Sequence, residues 1–140
     1  MKHLRVLLVT AVFAGFALVS IQAAGVKVIA NTSISDSAVS VDDLRSVFLQ
    51  EKDSLAGSHV EAVFEKGGPA HEAFLKEYLD KSDSALQAYY RSLVFTGKGS
   101  MPKTVGSDAE MVAYVAKTKG AIGYVGGDTS AEGVKTLEVK

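Results

Sequence analysis

Met111, Val112, Val115 and Ala116 recur at i, i+1, i+4 and i+5, the spacing of one apolar face on a helix. Ser107 or Asp108, just ahead of them, offers an oxygen to the first free N–H groups, and Glu110 falls in the first turn, where the helix dipole favours a carboxylate. Lys117 and Lys119 lie toward the negative end, and Gly120 supplies the left-handed residue that stops the helix. Ala121 to Val125 is then an apolar run long enough for a strand and too short for a helix. Helix, stop and strand of this kind form one unit of an α/β sheet, around which the other segments can be placed.

Upstream, Val26 to Ala30 reads as a first strand, and a polar loop runs from Asn31 to Ser40. Ser40 caps a helix whose inner face is Val41, Leu44, Val47 and Phe48, with Asp43 as a short variant of the capping box. It ends near Gln50, and Glu51 to Ser58 is a polar loop. In His59 to Glu65, Val60, Ala62 and Phe64 alternate with His59, Glu61 and Glu65, with Val63 the exception, so a half-buried strand is expected. Lys66-Gly67-Gly68-Pro69 breaks it, and Pro69 suits the first position of a helix carrying Ala70, Phe74, Leu75, Tyr78 and Leu79. After a turn at Asp80 to Asp83, Ser84 opens a third helix with Leu86, Tyr89, Tyr90, Leu93 and Val94 facing inward. Thr96 to Gly106 is expected to be an irregular loop, and Val134 to Val139 a last strand. The order β-α-β-α-α-α-β-β predicts a small, three-layer-like α/β domain, a short mixed sheet flanked by about four helices.

The first residues change how much of the 140-residue chain is expected to fold. Lys2, His3 and Arg5 precede an apolar run from Val6 to Val19, and the small residues Ala23 and Ala24 follow, the pattern of a secretory signal peptide over residues 1–24. The run is short for a membrane span of ~20 residues, and no basic cluster follows it. Residues 25–140 then make one domain, free of Cys and so of disulfides, standing on its apolar core. Removing Lys2 and Arg5 leaves 13 Lys+Arg against 16 Asp+Glu, a net charge of −3 that favours neither nucleic acid nor an anionic membrane surface.

Two places have the chemistry of a small-ligand site. At Lys66, Gly67, Gly68 and His71, free N–H groups of a helix start point outward, the dipole adds about half a positive charge, and the glycines let an oxyanion approach the backbone. Lys66 and His71 could add charge, whereas Glu65 and Glu72 flank the turn with the opposite sign. The same Gly and Pro also suit a strand-to-helix turn for shape alone. Asn31, Thr32 and Ser33 are short polar side chains at the carboxyl end of a strand, where open α/β sheets place ligands, and they equally suit the start of a solvated loop. Ser107 and Asp108 read as a helix cap rather than a ligand contact. There is no Gly-x-Ser-x-Gly elbow and no Cys nucleophile, and His59 and His71 lack zinc-type spacing, so neither catalysis nor a metal or other cofactor is expected.

Three segments carry a resemblance. Val41-Asp42-Asp43-Leu44-Arg45-Ser46-Val47-Phe48-Leu49-Gln50, then Phe95-Thr96-Gly97-Lys98-Gly99 with Val105-Gly106-Ser107-Asp108-Ala109-Glu110, and above all Gly120-Ala121-Ile122-Gly123-Tyr124-Val125 resemble segments of the phosphate-binding substrate-binding proteins of ABC transporters, which have a type 2 periplasmic binding fold. The chain is long enough for one of that family's two lobes and resembles the second, with an added first strand. Where the family has an Arg and a Ser-Gly-Thr loop at a helix start, this sequence has Glu65-Lys66-Gly67-Gly68-Pro69-Ala70-His71. The resemblance implies a secreted or periplasmic solute-binding-like protein that holds phosphate or a similar small oxyanion, with an ABC permease or another envelope protein as partner. The alternative is a non-catalytic envelope interaction module that has lost its solute.

Overall fold

The computed structural model describes residues 25–140, so the expected signal peptide lies outside the described residues. At the centre is a six-stranded mixed sheet in the order β2-β8-β1-β7-β5-β6. Its strands are β1 (Val26–Ala30), β2 (Ala38–Val39), β5 (Glu61–Glu65), β6 (Lys103–Val105), β7 (Ala121–Gly126) and β8 (Lys135–Val139), with β3 (Ser54–Leu55) and β4 (Ser58–His59) forming a separate hairpin. Four α-helices flank the sheet: α1 (Val41–Phe48), α2 (Pro69–Phe74), α3 (Asp83–Phe95) and α4 (Asp108–Lys117). The expected α/β architecture, with a mixed sheet and about four helices, is the one observed.

β7 explains why there are three layers. Ala121 to Val125 are all buried, so both faces of the strand must be covered. Ile122 and Tyr124 join Val28, Ala30, Phe64 and Leu137 under α1, α2 and α3. Ala121 and Val125 join Ile29, Val63 and Val105 under Met111 and Val115 of α4. The period-2 alternation of each strand therefore sorts apolar residues between two cores, not between core and solvent. The larger core is aromatic: Phe74 stacks on Tyr124 with centroids 4.1 Å apart, and Phe48 meets Phe64 edge-on at 5.1 Å. The smaller core is so close-packed that a Cβ on Gly123 would lie 2.5 Å from the Met111 sulfur.

Several local expectations are corrected. The loop expected from Thr96 to Gly106 contains β6, which pairs in parallel with β5 at the sheet edge. Its signal is weak because only Val105 of its three residues is buried. The strand expected from His59 divides at Val60, and Ser58–His59 folds back on Ser54–Leu55 through Ala56 and Gly57, both at positive φ as a tight hairpin turn requires. α3 starts one residue early, because Ser82 is its cap and accepts from the Ala85 N–H at 3.2 Å. Val94, expected to face inward, is 46% exposed: the fully buried positions of α3 end at Tyr90, and its last turn projects past the core. The second helix runs on from α2 without a break into a π-helical turn, Leu75–Leu79, and stops at Asp80 in the left-handed region.

Gly120 is left-handed as expected, but α4 has already ended at Lys117 with Thr118 extended, so the glycine serves the turn into β7 rather than the helix stop. Its φ is +79°, its N–H donates to Ser33 Oγ at 3.0 Å, and an added Cβ would sit 2.6 Å from the His59 carbonyl oxygen. Gly57 also has positive φ, +80°, but has open space around it. Gly57→Ala should therefore cost only the left-handed backbone, about 1 kcal/mol, and Gly120→Ala clearly more because the His59 carbonyl must also move. Urea midpoints at unchanged slope measure this; equal losses in the two variants would refute the close-approach argument.

Candidate functional site

β5 and β7 run parallel and finish at the same end of the sheet, where the antiparallel β1 begins. That topology gathers three turns: Glu65 to Gly68 after β5, Gly126 to Asp128 after β7, and Gly106-Ser107 leading from β6 into α4. Together with Gly25 they line a cleft of about 430 Å³.

Gly68 has φ +95° and ψ 176°, a region essentially restricted to glycine, which lets the chain reverse from β5 into α2 with Pro69 at the first helical position. Gly67 and Gly68 are exposed, face open space, and their N–H groups bond to no protein atom among the described residues. On the other wall, Ser107 caps α4 by accepting from the Glu110 N–H at 3.2 Å. Asp108 Oδ2 accepts from the Gly126 N–H at 2.9 Å and from the Thr129 hydroxyl.

Glu65 faces Asp108 from the end of β5. It is buried, and its Oε1 has no donor among the described residues. Burial first, then the nearby Asp108 carboxylate, pushes the Glu65 carboxyl up to about 8. Burial works in the same direction on Asp108, but hydrogen bonds from Glu65, Thr129 and Gly126 outweigh it and hold that carboxylate below its usual range. The two shifts point the same way: the pair holds a proton, on the Glu65 side, to higher pH than an ordinary carboxyl would.

Behind the turn a polar chain crosses the aromatic core. The Glu65 N–H donates to the Tyr124 hydroxyl at 2.9 Å, that hydroxyl lies 2.6 Å from His71 Nδ1, and His71 Nε2 lies 2.7 Å from Asp83 Oδ1. A carboxylate only accepts, so Nε2 carries the proton toward Asp83, and in the neutral ring Nδ1 accepts from Tyr124. Tyr124 is fully buried and His71 nearly so, and the chain holds the turn in place.

The expected site residues are thus dispersed. Gly67 and Gly68 line the cleft. Lys66 lies beside it, lining a separate groove with Lys103 and Lys117 along β6 and α4. His71 stands behind the turn with both ring nitrogens engaged. Asn31, Thr32 and Ser33 are at the opposite end of the sheet, because β1 runs antiparallel to β7 and its carboxyl end is not theirs. Asn31 Nδ2 donates to the Val115 and Ala116 carbonyls at 2.8 and 3.2 Å, tying down the end of α4, and Ser33 Oγ is held by Gly120. Thr32 is exposed. Glu65, Asp108 and Asp128 were not anticipated at the cleft. Val63, apolar on the face assigned to solvent, was the available signal: it means both faces of β5 are covered, so Glu65 on the same face is covered too.

No family model matches the chain, and no curated protein matches it. Solved structures do share the fold. A Clostridium perfringens protein assigned as a phosphate ABC transporter substrate-binding protein, with bound phosphate, aligns at a TM-score of 0.64 and 11% identity over 83% of this chain and 45% of its own. PstS from Borrelia burgdorferi aligns at 0.63 and 14%, over 84% and 47%. An ABC-type phosphate transport receptor from Vibrio cholerae aligns at 0.56 and 12%, over 83% and 46%. The chain spans about half the length of these proteins, and at such identities the likeness is one of fold, that of a periplasmic-binding-protein lobe.

With its folded-state value near 8, Glu65 keeps a proton that the unfolded chain has already released above about pH 5. Stability should therefore fall as pH rises from about 5 through 8, with a slope of at most ~1.4 kcal/mol per pH unit. The Asp108 shift has the opposite sign and matters only as pH falls below the ordinary carboxylate range. Urea unfolding across this window should show the fall in the wild type and a flat profile in Glu65→Gln; an unchanged fall in the variant would remove Glu65 as its source.

Proposed function

We propose that the chain is an exported, single-lobe, solute-binding-like protein that holds phosphate or a similar small oxyanion at the Gly67–Gly68 turn, in association with ABC-type transport. The observation that carries this reading is a pair of glycine amides without a partner among the described residues, at the carboxyl end of an interior strand where the chain turns into a helix beside a cleft. Amides presented in this way, backed by the helix dipole, stabilise an oxyanion without a full cation. The fold shared with phosphate-binding proteins supports the same reading.

Lys66 acts from the rim, as a mobile charge outside the cleft, and His71 positions the turn without touching the ligand. Asn31, Thr32 and Ser33 belong to the stop of α4, away from the solute. An anion held by the described lobe alone stays partly hydrated, so its affinity for this chain is expected in the micromolar to millimolar range, roughly −8 to −4 kcal/mol. Export follows from the leader-like residues 1–24, and among the described residues no helix is long and apolar enough to cross a membrane. The intact mass of the protein from the cell envelope should correspond to a chain starting at Ala24 or Gly25; a full-length mass there would refute cleavage.

A second reading, a non-catalytic interaction module, is favoured by one observation: the three exposed large apolar side chains among the described residues, Val94, Phe95 and Met101, share one short stretch, with Phe95 93% exposed. Calorimetric titration with phosphate separates the two. Saturable heat that weakens several-fold in Gly68→Val supports the oxyanion site. No heat at ~10 mM phosphate, together with concentration-dependent elution of the mature protein on size exclusion, supports the module instead.

A further inference from the structure

Val94, Phe95 and Met101 share a tip at the end of the molecule away from the cleft. α3 begins at Asp83, which holds His71 behind the glycine turn, and its helical rise carries Phe95 roughly 20 Å from there. Lys103 then opens β6, which runs parallel to β5 back to the cleft at Gly106. The tip is firmly built. The Lys98 N–H donates to the Leu93 carbonyl at 2.9 Å and the Gly97 N–H to the Val94 carbonyl at 3.2 Å, the paired bonds of a glycine-ended helix. The residue after such a glycine often packs an apolar side chain on the last turn; here it is the exposed Lys98, and Val94 and Phe95 stay uncovered. The Gln50 amide exchanges two hydrogen bonds with the Ser100 backbone, donating at 2.7 Å and accepting at 3.1 Å, which ties the loop to the end of α1.

The charge around the tip has one sign. Ser84 to Ser107 contain Arg91, Lys98 and Lys103 and no Asp or Glu. All three basic side chains are exposed and form no ion pair among the described residues. The acids of the adjoining groove, Asp53 and Glu61, belong to the stretch before β3 and to the start of β5, and Glu61 accepts from the Tyr114 hydroxyl at 3.0 Å.

We infer that this tip docks on an anionic membrane surface, with Phe95, Met101 and Val94 entering the boundary between headgroups and acyl chains and Arg91, Lys98 and Lys103 meeting the lipid phosphates. The chain's net charge disfavours such a surface, but the field at a contact is set within a Debye length of about 8–10 Å, where the tip is basic. A protein partner fits this shape less well. A side chain standing as clear as Phe95 needs a matching pocket in a protein, whereas a bilayer admits it without one. The apolar area is also small: a whole aromatic side chain brings about 150–250 Å², and a stable protein interface takes ~800 Å² from each partner. Docked in this way the chain lies on the membrane with its cleft turned away, and the inference is independent of what the cleft holds.

The test is co-sedimentation of the protein purified from the cell envelope with vesicles of phosphatidylcholine alone and of an equal mixture of phosphatidylcholine and phosphatidylglycerol. The expected result is saturable binding to the mixed vesicles, weaker by about fivefold or more on the neutral ones and in high salt. Phe95→Ser should weaken binding to the mixed vesicles about fivefold or more, and Lys98→Gln should reduce the anionic preference alone. Both side chains are exposed, so the urea midpoints should stay where they are, and a loss of binding then reports contact and not unfolding. Binding unchanged in Phe95→Ser would overturn the docking tip and assign the affinity to another part of the chain, a retained leader included. Absence of binding to both kinds of vesicle would also overturn it. Concentration-dependent elution on size exclusion that Phe95→Ser abolishes would in that case assign the patch to a second copy of the chain.

Discussion

Tyr124 brings a hydroxyl into the driest part of the molecule, and the cleft end of the fold depends on how that hydroxyl is satisfied. The ring stacks on Phe74 and sits against Phe48 and Phe64, so the side chain has no route to water. A buried hydroxyl without partners is costly, and its partners here are the Glu65 N–H and His71. The first fixes the last residue of β5 before the glycine turn. The second fixes the first turn of α2 and, through Asp83, the start of α3. A single phenol in the central strand thus ties the aromatic core to the frame of the site, and burial holds its own ionisation far above the usual tyrosine range.

The cleft built on that frame is electrostatically divided. Parallel β5, β6 and β7 bring their carboxyl ends together, which is where an open α/β sheet leaves backbone amides and helix starts unpaired. The same topology brings Glu65 and Asp108 face to face, a pair that is tolerable only because one proton is shared between them. The glycine turn and the Asp108 wall thus bring backbone amides and carboxyl groups to one cleft. The solved structures that share this fold are about twice as long as this chain.

Much of the architecture is legible in the residues because local chemistry decides it. Ser40 and Ser107 cap the helices they precede, Pro69 opens α2, Gly120 takes the left-handed position of the turn into β7, and the apolar spacing of α1, α4 and β7 matches their buried faces. The elements missed, β2, β6 and the β3-β4 hairpin, are two or three residues long and exist because a neighbouring strand offers them backbone partners. No periodicity can be read over two residues.

The sequence by itself determined the helices, the four longer strands β1, β5, β7 and β8, and the glycine turn that follows β5. These follow from contacts within a few residues along the chain. Only the tertiary structure decided which ends of the strands meet. β1 is antiparallel to its neighbours, so Asn31 to Ser33 lie at the far end of the sheet, and His71 turns inward to Tyr124 and Asp83 because the aromatic core needs its ring there. Asp108, read as a cap, and Glu65, read as solvent-facing, confront each other across a cleft because strands distant in sequence end side by side, a placement fixed by sheet topology and burial rather than by any local pattern.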